Sequence, residues 1–427
     1  MNRLRRGAVA ALAALALPLA SAGAASAASP ALPSPDLPPS ARLLSPGFAS
    51  TQPPGDVRLA LPRPTGPYAV GRETLHLTDR HRKDPWVPSA SARELMVSMY
   101  YPARPGTGRP AAYMTTEEAR LLLQGSGRAT GGRAADSGRT QEPSPETVAG
   151  TRVHARTGAR PVAGRHPLVV LSPGFTMNRA TLSLLAEEFS SRGHVVALVD
   201  HAYESAGTSF PGGRVLTCAA CAKVNAQPDE DAKRKVLADV ARGRAQDVSF
   251  LLDRLLDRRH PAWRYAGTVD PRRIGMAGHS IGGNSAATAM SADHRIRAGA
   301  NMDGTFFTPV PASGLGDRPF LMIGTAAGHA PGAGDTSWDE GWRALHGWKR
   351  WLTVAGSGHF TFTDLPVLAE QLGPDANDPS VPLSGRRSGE ITGGYLGAFF
   401  DRHLRGVPQP LLDGPSPTNP EVTFHRP

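Results

Sequence analysis

The sequence has 427 residues, of which 40% are hydrophobic and 20% are charged, so it can bury a sizeable core. Its formal net charge of +10 comes from basic residues that are scattered along the chain. Without a basic stripe and interleaved aromatic residues, the charge argues against nucleic-acid binding. It favours a solvated surface, with long-range attraction to anionic surfaces as an alternative.

The N-terminus carries the pattern of a secretory signal peptide. Arginines precede an apolar run over residues 8–20, and small residues at 25–27 fit a cleavage site. We therefore predict a signal peptide over residues 1–27 and a secreted, extracellular protein, while the Arg5-Arg6 pair leaves the twin-arginine route open. No later segment is apolar over the about 18 residues of a spanning helix, so any membrane contact is expected to be transient.

Composition divides the rest of the chain into three parts. Residues 28–65 are rich in Pro, Ser and Ala, which predicts a flexible N-terminal segment. Residues 66–427 are expected to form one folded catalytic domain. Within it, residues 125–165 are rich in Gly, Arg, Ser and Thr, and we expect a disordered surface insertion there because few apolar side chains offset the ordering entropy.

Hydrophobic periodicity predicts alternating strands and helices. The predicted strands are 72–77, 95–101, 168–171, 195–199, 273–277, 298–302, 320–324 and 351–355, and the predicted helices are 113–123, 179–192, 231–257 and 390–404. The segment from 168 to 199 reads strand, helix, strand, which is typical of a βαβ unit. This unit predicts a parallel sheet that is flanked by helices. The Pro-rich tail from residue 406 is expected to be irregular.

The chain has two cysteines, Cys218 and Cys221, spaced C-x-x-C. In an oxidising compartment this pair predicts a small disulfide that pins a local turn. In the cytosol the same spacing would indicate a redox motif. Two cysteines alone do not make a structural zinc site, and the sequence implies neither a metal nor a cofactor.

The segment Gly278-His279-Ser280-Ile281-Gly282 is the single G-x-S-x-G pattern of the chain. A strand precedes it, and small residues that predict a tightly packed helix follow it over 283–290. This context is that of a nucleophile on a sharp strand-to-helix turn, where side chains at the two glycines would clash with backbone. The sequence therefore predicts an α/β-hydrolase fold with Ser280 as the nucleophile.

The general base of such a site is a histidine on a loop after the last strand. His359 lies in a Gly-Ser-Gly-His-Phe segment directly after the strand 351–355, and it is the predicted base. The remaining candidates are less well placed: His279, His329, His346, His403 and His425.

The acid that orients the base should stand at the end of a strand. Asp303 follows the strand 298–302 directly, and it is the predicted acid. Asp335, in the loop before the last strand, is its rival. The predicted oxyanion donors are the backbone amides of Phe175, after the first core strand, and Ile281, after the nucleophile.

These motifs resemble the plasma-type platelet-activating factor acetylhydrolase family and its bacterial lipase-like relatives. The resemblance rests on M-V-S-M-Y-Y-P-A at 96–103, S-P-G-F at 172–175, G-H-S-I-G-G at 278–283, N-M-D-G at 301–304, G-S-G-H-F at 356–360 and the closing helix at 394–404. In that family the acid follows the strand after the nucleophile helix, as Asp303 does. Related bacterial lipases and polyester hydrolases usually place it one strand later.

The resemblance implies a serine carboxylic-ester hydrolase that cleaves acyl esters of glycerolipids or phospholipids. A broader lipase, a cutinase or a polyester hydrolase is the alternative within the same class. A non-catalytic secreted binding protein on the same fold is a further alternative, although it predicts a broken triad. The insertion and the cysteine pair are departures from the family and leave pocket shape open.

Overall fold

Apolar segments bounded by Gly, Pro or Asp form the strands of the sheet. The fold is that of a computed structural model, which describes residues 57–129 and 143–427. Its strands are β1 (Ala69–Asp79), β2 (Arg93–Ala103), β3 (Arg109–Pro110), β4 (Arg156–Thr157), β5 (His166–Ser172), β6 (Val195–His201), β7 (Thr208–Phe210), β8 (Arg214–Leu216), β9 (Val269–His279), β10 (Ile296–Met302), β11 (Gly314–Asp317), β12 (Phe320–Thr325), β13 (Lys349–Val354) and β14 (Val422–His425). Its α-helices are α1 (Thr116–Ala129), α2 (Pro145–Ala149), α3 (Ser183–Ser191), α4 (Ala219–Asn225), α5 (Glu230–Leu256), α6 (Ile281–Ala292), α7 (Ala326–His329), α8 (Ser337–Ala344), α9 (Leu365–Leu372) and α10 (Gly385–Arg405).

An 11-stranded sheet runs in the order β14-β13-β12-β10-β9-β5-β6-β2-β1-β4-β3. The strands from β13 to β6 in this order pair in parallel. Strand β2 joins β6 antiparallel, and β14 closes the other end antiparallel to β13. The predicted α/β-hydrolase fold, with a mostly parallel central sheet flanked by helices, is confirmed.

Two apolar layers cover the two faces of this sheet. Leu168 and Val170 of β5 point into a core that contains residues of α5 and α6. Val169 and Leu171 point into the opposite core, formed with α3 and α10. This alternation follows from the two-residue period of a strand, and a strand buried on both faces needs apolar side chains at every position. Among the residues that the structure describes, no helix is long and apolar enough to span a membrane.

Part of the predicted disordered insertion is folded. Residues 143–165 carry α2 and β4 and bury Val148 and Val153. Here the expectation of disorder over 125–165 is wrong. The few apolar side chains of this segment find partners elsewhere in the fold, which composition could not reveal. Residues 130–142 lie outside the described residues.

The start of the fold also lies earlier than composition suggests. Leu59 and Leu61 are buried in the same cluster as Val148. The N–H of Arg152 donates to the Leu59 carbonyl at 2.8 Å, and the N–H of Leu61 donates to the Arg152 carbonyl at 2.9 Å. Residues 57–65 are therefore fixed, although a flexible segment is expected over 28–65. The predicted signal peptide over 1–27 lies outside the described residues.

The C-terminal region contains more regular secondary structure than predicted. Helix α10 begins at Gly385, because the Ser384 hydroxyl accepts from the N–H of Arg387 at 3.2 Å and caps it. The tail after α10 returns to the sheet as β14, where Val422 pairs with Val354. The expectation of an irregular tail is wrong at β14, since edge pairing depends on a neighbouring strand and leaves little trace in a Pro-rich sequence.

Candidate active site

The candidate site lies at the carboxyl edge of the parallel strands. Ser280 follows β9, Asp303 follows β10 and His359 follows β13. Because parallel strands end at the same edge, residues that are far apart in sequence converge there. A backbone hydrogen bond joins two of these strand ends, because the N–H of Ser280 donates to the Met302 carbonyl at 2.8 Å.

Ser280 occupies a strained turn between β9 and α6. Its backbone has φ 55° and ψ −127°, a conformation that non-glycine residues rarely adopt. A Cβ on Gly278 would collide with the backbone of Gly282, and a Cβ on Gly282 would collide with the backbone of Ser172. The two glycines therefore permit the close approach that this turn requires, as the motif predicts.

Asp303 is buried and accepts three hydrogen bonds. Its Oδ2 accepts from Nδ1 of His359 at 2.7 Å. Its Oδ1 accepts from the N–H of Thr325 at 2.6 Å and from Nδ1 of His329 at 2.7 Å. Burial by itself would raise the pKa of Asp303, but the hydrogen bonds from the two histidines outweigh it and hold the pKa well below its usual range.

His359 is oriented from two sides. Its ring donates to Asp303, and its carbonyl accepts from Nε2 of His279 at 2.7 Å. The side chain remains 47% exposed. With Nδ1 donating to a carboxylate, the neutral ring keeps the lone pair of Nε2 available to take a proton, which is the tautomer a general base requires.

His279 is a structural neighbour in this arrangement. Burial lowers the pKa of His279 to about 3, so its ring stays neutral. The ring stands between two loops, because a Cβ on Gly174 would lie 2.9 Å from its Nδ1 while its Nε2 holds His359. Its Nδ1 is buried without a hydrogen-bond partner among the described residues, and a ring with so low a pKa is a weak base, so His279 is better suited to holding His359 in place.

The other candidate histidines fall into two groups. His346 is exposed, His403 packs against Trp348 and His425 shares a hydrogen bond with Thr353 at 2.7 Å. These three lie apart from the candidate triad. His329, by contrast, contacts Asp303 directly and links it to Asp335.

Sequence reasoning treats His329 and Asp335 as rivals of His359 and Asp303, whereas the structure brings all four side chains together. Nε2 of His329 lies 3.2 Å from Oδ2 of Asp335. The segment that holds them is rich in Gly and Ala and has no distinctive pattern. The one sequence feature that could have placed His329 at this site is its position shortly after a strand of the parallel sheet.

The predicted oxyanion donors lie on two segments, the loop after β5 and the first residue of α6. Ile281 begins α6, where an amide has no intrahelical carbonyl to bind. Phe175 lies in the loop after β5, half-buried in an apolar cluster that also contains Ile281 and Phe307. The Cys218–Cys221 disulfide joins the N-cap residue of α4 to the first turn of that helix, and Cys218 packs against the same cluster.

A buried charge network holds the loop that carries Phe175. Arg244 on α5 donates to the Pro173 carbonyl and, at 2.7 Å, to Glu204. Glu204 in turn accepts from Arg93 at 2.7 Å, and Arg93 also binds Asp247 at 2.8 Å. Buried charges of this kind are strongly destabilising without their partners, and the bond from Arg244 to the Pro173 carbonyl connects the loop to this paired network. The sequence offered no sign of it.

The sheet order and the convergence of Ser280, Asp303 and His359 are those of an α/β-hydrolase. Residues 56–373 match the family described as "Platelet-activating factor acetylhydrolase, isoform II". The chain belongs to this family. The resemblance drawn from the motifs is thereby confirmed.

Known relatives agree with this assignment. A "Probable 1-alkyl-2-acetylglycerophosphocholine esterase" of Arthroderma benhamiae is 31% identical over 388 residues, covering 85% of this chain and 93% of the relative. A "Platelet-activating factor acetylhydrolase" of Cavia porcellus is 24% identical, covering 71% and 69%. The solved structure of a ferulic acid esterase from Streptomyces cinnamoneus is 41% identical with a TM-score of 0.73, covering 86% and 99%. The protein is a carboxylic ester hydrolase.

The two acidic candidates can be separated by matched substitutions. Asp303→Asn is expected to lower kcat by about ten-thousandfold, because the amide no longer holds the imidazole in the working tautomer. Asp335→Asn is expected to lower it by about tenfold or less, since Asp335 contacts His329 and not His359. Rates on p-nitrophenyl acetate, with circular dichroism as a check on folding, measure both. Similar losses in the two variants would contradict the assignment of Asp303.

Proposed function

We propose that this esterase works through an acyl-enzyme on Ser280. His359 removes the proton of the Ser280 hydroxyl through Nε2 while Oγ bonds to the ester carbonyl carbon. Asp303 orients the imidazole and stabilises its protonated form. The hydrogen bond of 2.7 Å between His359 and Asp303 is the observation that carries this proposal, because it sets the tautomer of the base.

The tetrahedral intermediate needs stabilisation of its negative oxygen. The backbone amides of Phe175 and Ile281 are the proposed donors, and the N-terminus of α6 adds a favourable dipole. When the intermediate collapses, the alcohol leaves with the proton from His359. Water then attacks the acyl group with His359 as base, and the Ser280 oxygen recovers its proton as the acid departs.

The proposed substrate is a glycerophospholipid ester with a short acyl group. Family membership and the printed names of the fungal and guinea-pig relatives support this class. Asp303 follows β10, which is the arrangement expected for the acetylhydrolase branch and not for a broad lipase, a cutinase or a polyester hydrolase.

A hydroxycinnamoyl ester is a second candidate substrate. The ferulic acid esterase is 41% identical to this chain over 86% of its length. Aromatic side chains border the site: Phe175 and Phe307 share a cluster with Ile281, and Phe360 is 46% exposed with its ring 5.5 Å from that of His359. Such surfaces suit an aromatic acyl group as well as an alkyl chain.

Substitution of the nucleophile tests the proposed mechanism. Ser280→Ala is expected to abolish labelling by a fluorophosphonate probe and to lower ester hydrolysis by at least about ten-thousandfold, because no covalent intermediate can form. Ser291→Ala, at the exposed end of the same helix, is the matched control and should retain full activity. Labelling that persists in folded Ser280→Ala would rule out Ser280 as the nucleophile.

A substrate panel separates the two acyl classes. Values of kcat/KM for 1-alkyl-2-acetylglycerophosphocholine, methyl ferulate and p-nitrophenyl esters of increasing chain length are to be compared on one preparation. We expect the acetyl phospholipid to exceed methyl ferulate by at least about tenfold, the equivalent of about 1.4 kcal/mol in the transition state. The reverse order would assign a feruloyl-type activity, and a preference for long chains would assign a broader lipase.

Secretion is proposed from the N-terminal pattern and is supported by the Cys218–Cys221 disulfide, a bond typical of oxidising compartments. Cleavage after the small residues at 25–27 predicts that the mature chain starts at Ala28. Expression of the full chain in a secreting bacterial host, followed by N-terminal sequencing of protein from the medium, measures this. Retention in the cytoplasm with Met1 intact would contradict secretion.

A further inference from the structure

A second histidine stands behind the candidate triad. His329, at the end of α7, is only 7% exposed. Its Nδ1 lies 2.7 Å from Oδ1 of Asp303 and its Nε2 lies 3.2 Å from Oδ2 of Asp335. The Asp303 carboxylate therefore serves two imidazoles, one on each oxygen, and the mechanism proposed above uses only one of them.

The geometry defines the protonation state of this ring. An ionised carboxylate accepts hydrogen bonds and donates none, so a ring with a carboxylate at each nitrogen carries a proton on both. Burial disfavours the charge, but the hydrogen bonds and charges of Asp303 and Asp335 outweigh it and raise the pKa of His329 to about 9. The same contacts, against the effect of burial, lower the pKa of Asp335 to about 2.

Neighbouring side chains fix the ring in place. Trp338 stacks on it with ring centroids 4.3 Å apart, and Nε1 of Trp351 donates to the His329 carbonyl at 2.7 Å. Gly324 provides the space for this arrangement, because a Cβ at that position would lie 3.0 Å from both Asp303 Oδ1 and the Cβ of His329. A ring held this firmly can in turn hold the carboxylate that it binds.

We propose that His329 is a positioning residue for the ester hydrolysis, a buried imidazolium that clamps Asp303 in the orientation His359 needs and takes up part of its negative charge. The inference rests on the proposed roles of Ser280, Asp303 and His359. Since one carboxylate then serves two imidazoles, it stabilises protonated His359 less than an unshared carboxylate would.

The charged groups that face His329 are few within the described residues. Asp303 faces it from the end of β10 and Asp335 from the loop before α8. The other elements packed against it present neutral groups, namely Gly324 on β12, Trp338 on α8 and Trp351 on β13. The titratable side chain beyond Asp303 is His359, so removal of the His329 charge acts on the base through that one carboxylate.

The test combines a variant with a measurement on the unaltered protein. His329→Gln is expected to lower kcat about tenfold with KM changed less than about twofold, because the loss falls on positioning. His194→Gln is the matched control: His194 is a buried histidine that binds Asp401 at 3.1 Å, and its loss should leave kcat unchanged.

Nuclear magnetic resonance of the wild-type protein with 15N-labelled histidine provides the second readout. At pH 8 the ring of His329, assigned by its absence in His329→Gln, should carry protons on both nitrogens. A neutral ring at pH 8, or a kcat of folded His329→Gln equal to that of the wild type, would overturn the proposal. If Ser280→Ala stayed active in the same assay, the proposed site itself would fail, which is a separate result from either of these.

Discussion

The site depends on the burial of one carboxylate. Asp303 is only 3% exposed and carries its charge at the edge of a parallel sheet, where an ion without partners would be strongly destabilising. Three N–H groups satisfy it, from the backbone of Thr325 and the rings of His329 and His359. Each donor belongs to the end of a different strand or helix. The carboxylate therefore connects the segments that follow β12 and β13 to β10, and the register of those strands places His359 beside it.

Close backbone approaches bring Ser280 to the same place. The turn at Ser280 and the residue Asp303 both adopt positive φ, at 55° and 56°, and they are joined through the backbone of Met302. Gly283 and Gly304 both lie against the Asn301 side chain, which bonds in both directions to Gly304. Strain of this kind persists only where surrounding contacts fix the backbone, and here two cores on opposite sides of the sheet supply them.

The patterns that single out Ser280 and Asp303 as candidates are local, because the glycines, small residues and strand ends that mark them lie within a few neighbouring positions. The same reasoning expected disorder over 125–165, and it failed at Val148 and Val153 because their partners, Leu59 and Leu61, come from a segment that also lacked periodicity. Two weakly patterned segments that bury each other leave no signal in either one.

The sequence by itself determined the fold class and the family to which this ester hydrolase belongs, and it suggested the proposed order of nucleophile, acid and base. These features depend on local patterns, since strand runs and turn glycines act over a few residues. The tertiary structure alone decided that His329 and Asp335 join Asp303 instead of competing with it, and that Arg244 braces the loop of Phe175. Those contacts join residues from separate elements, and the orientation of a buried side chain depends on every neighbour packed around it.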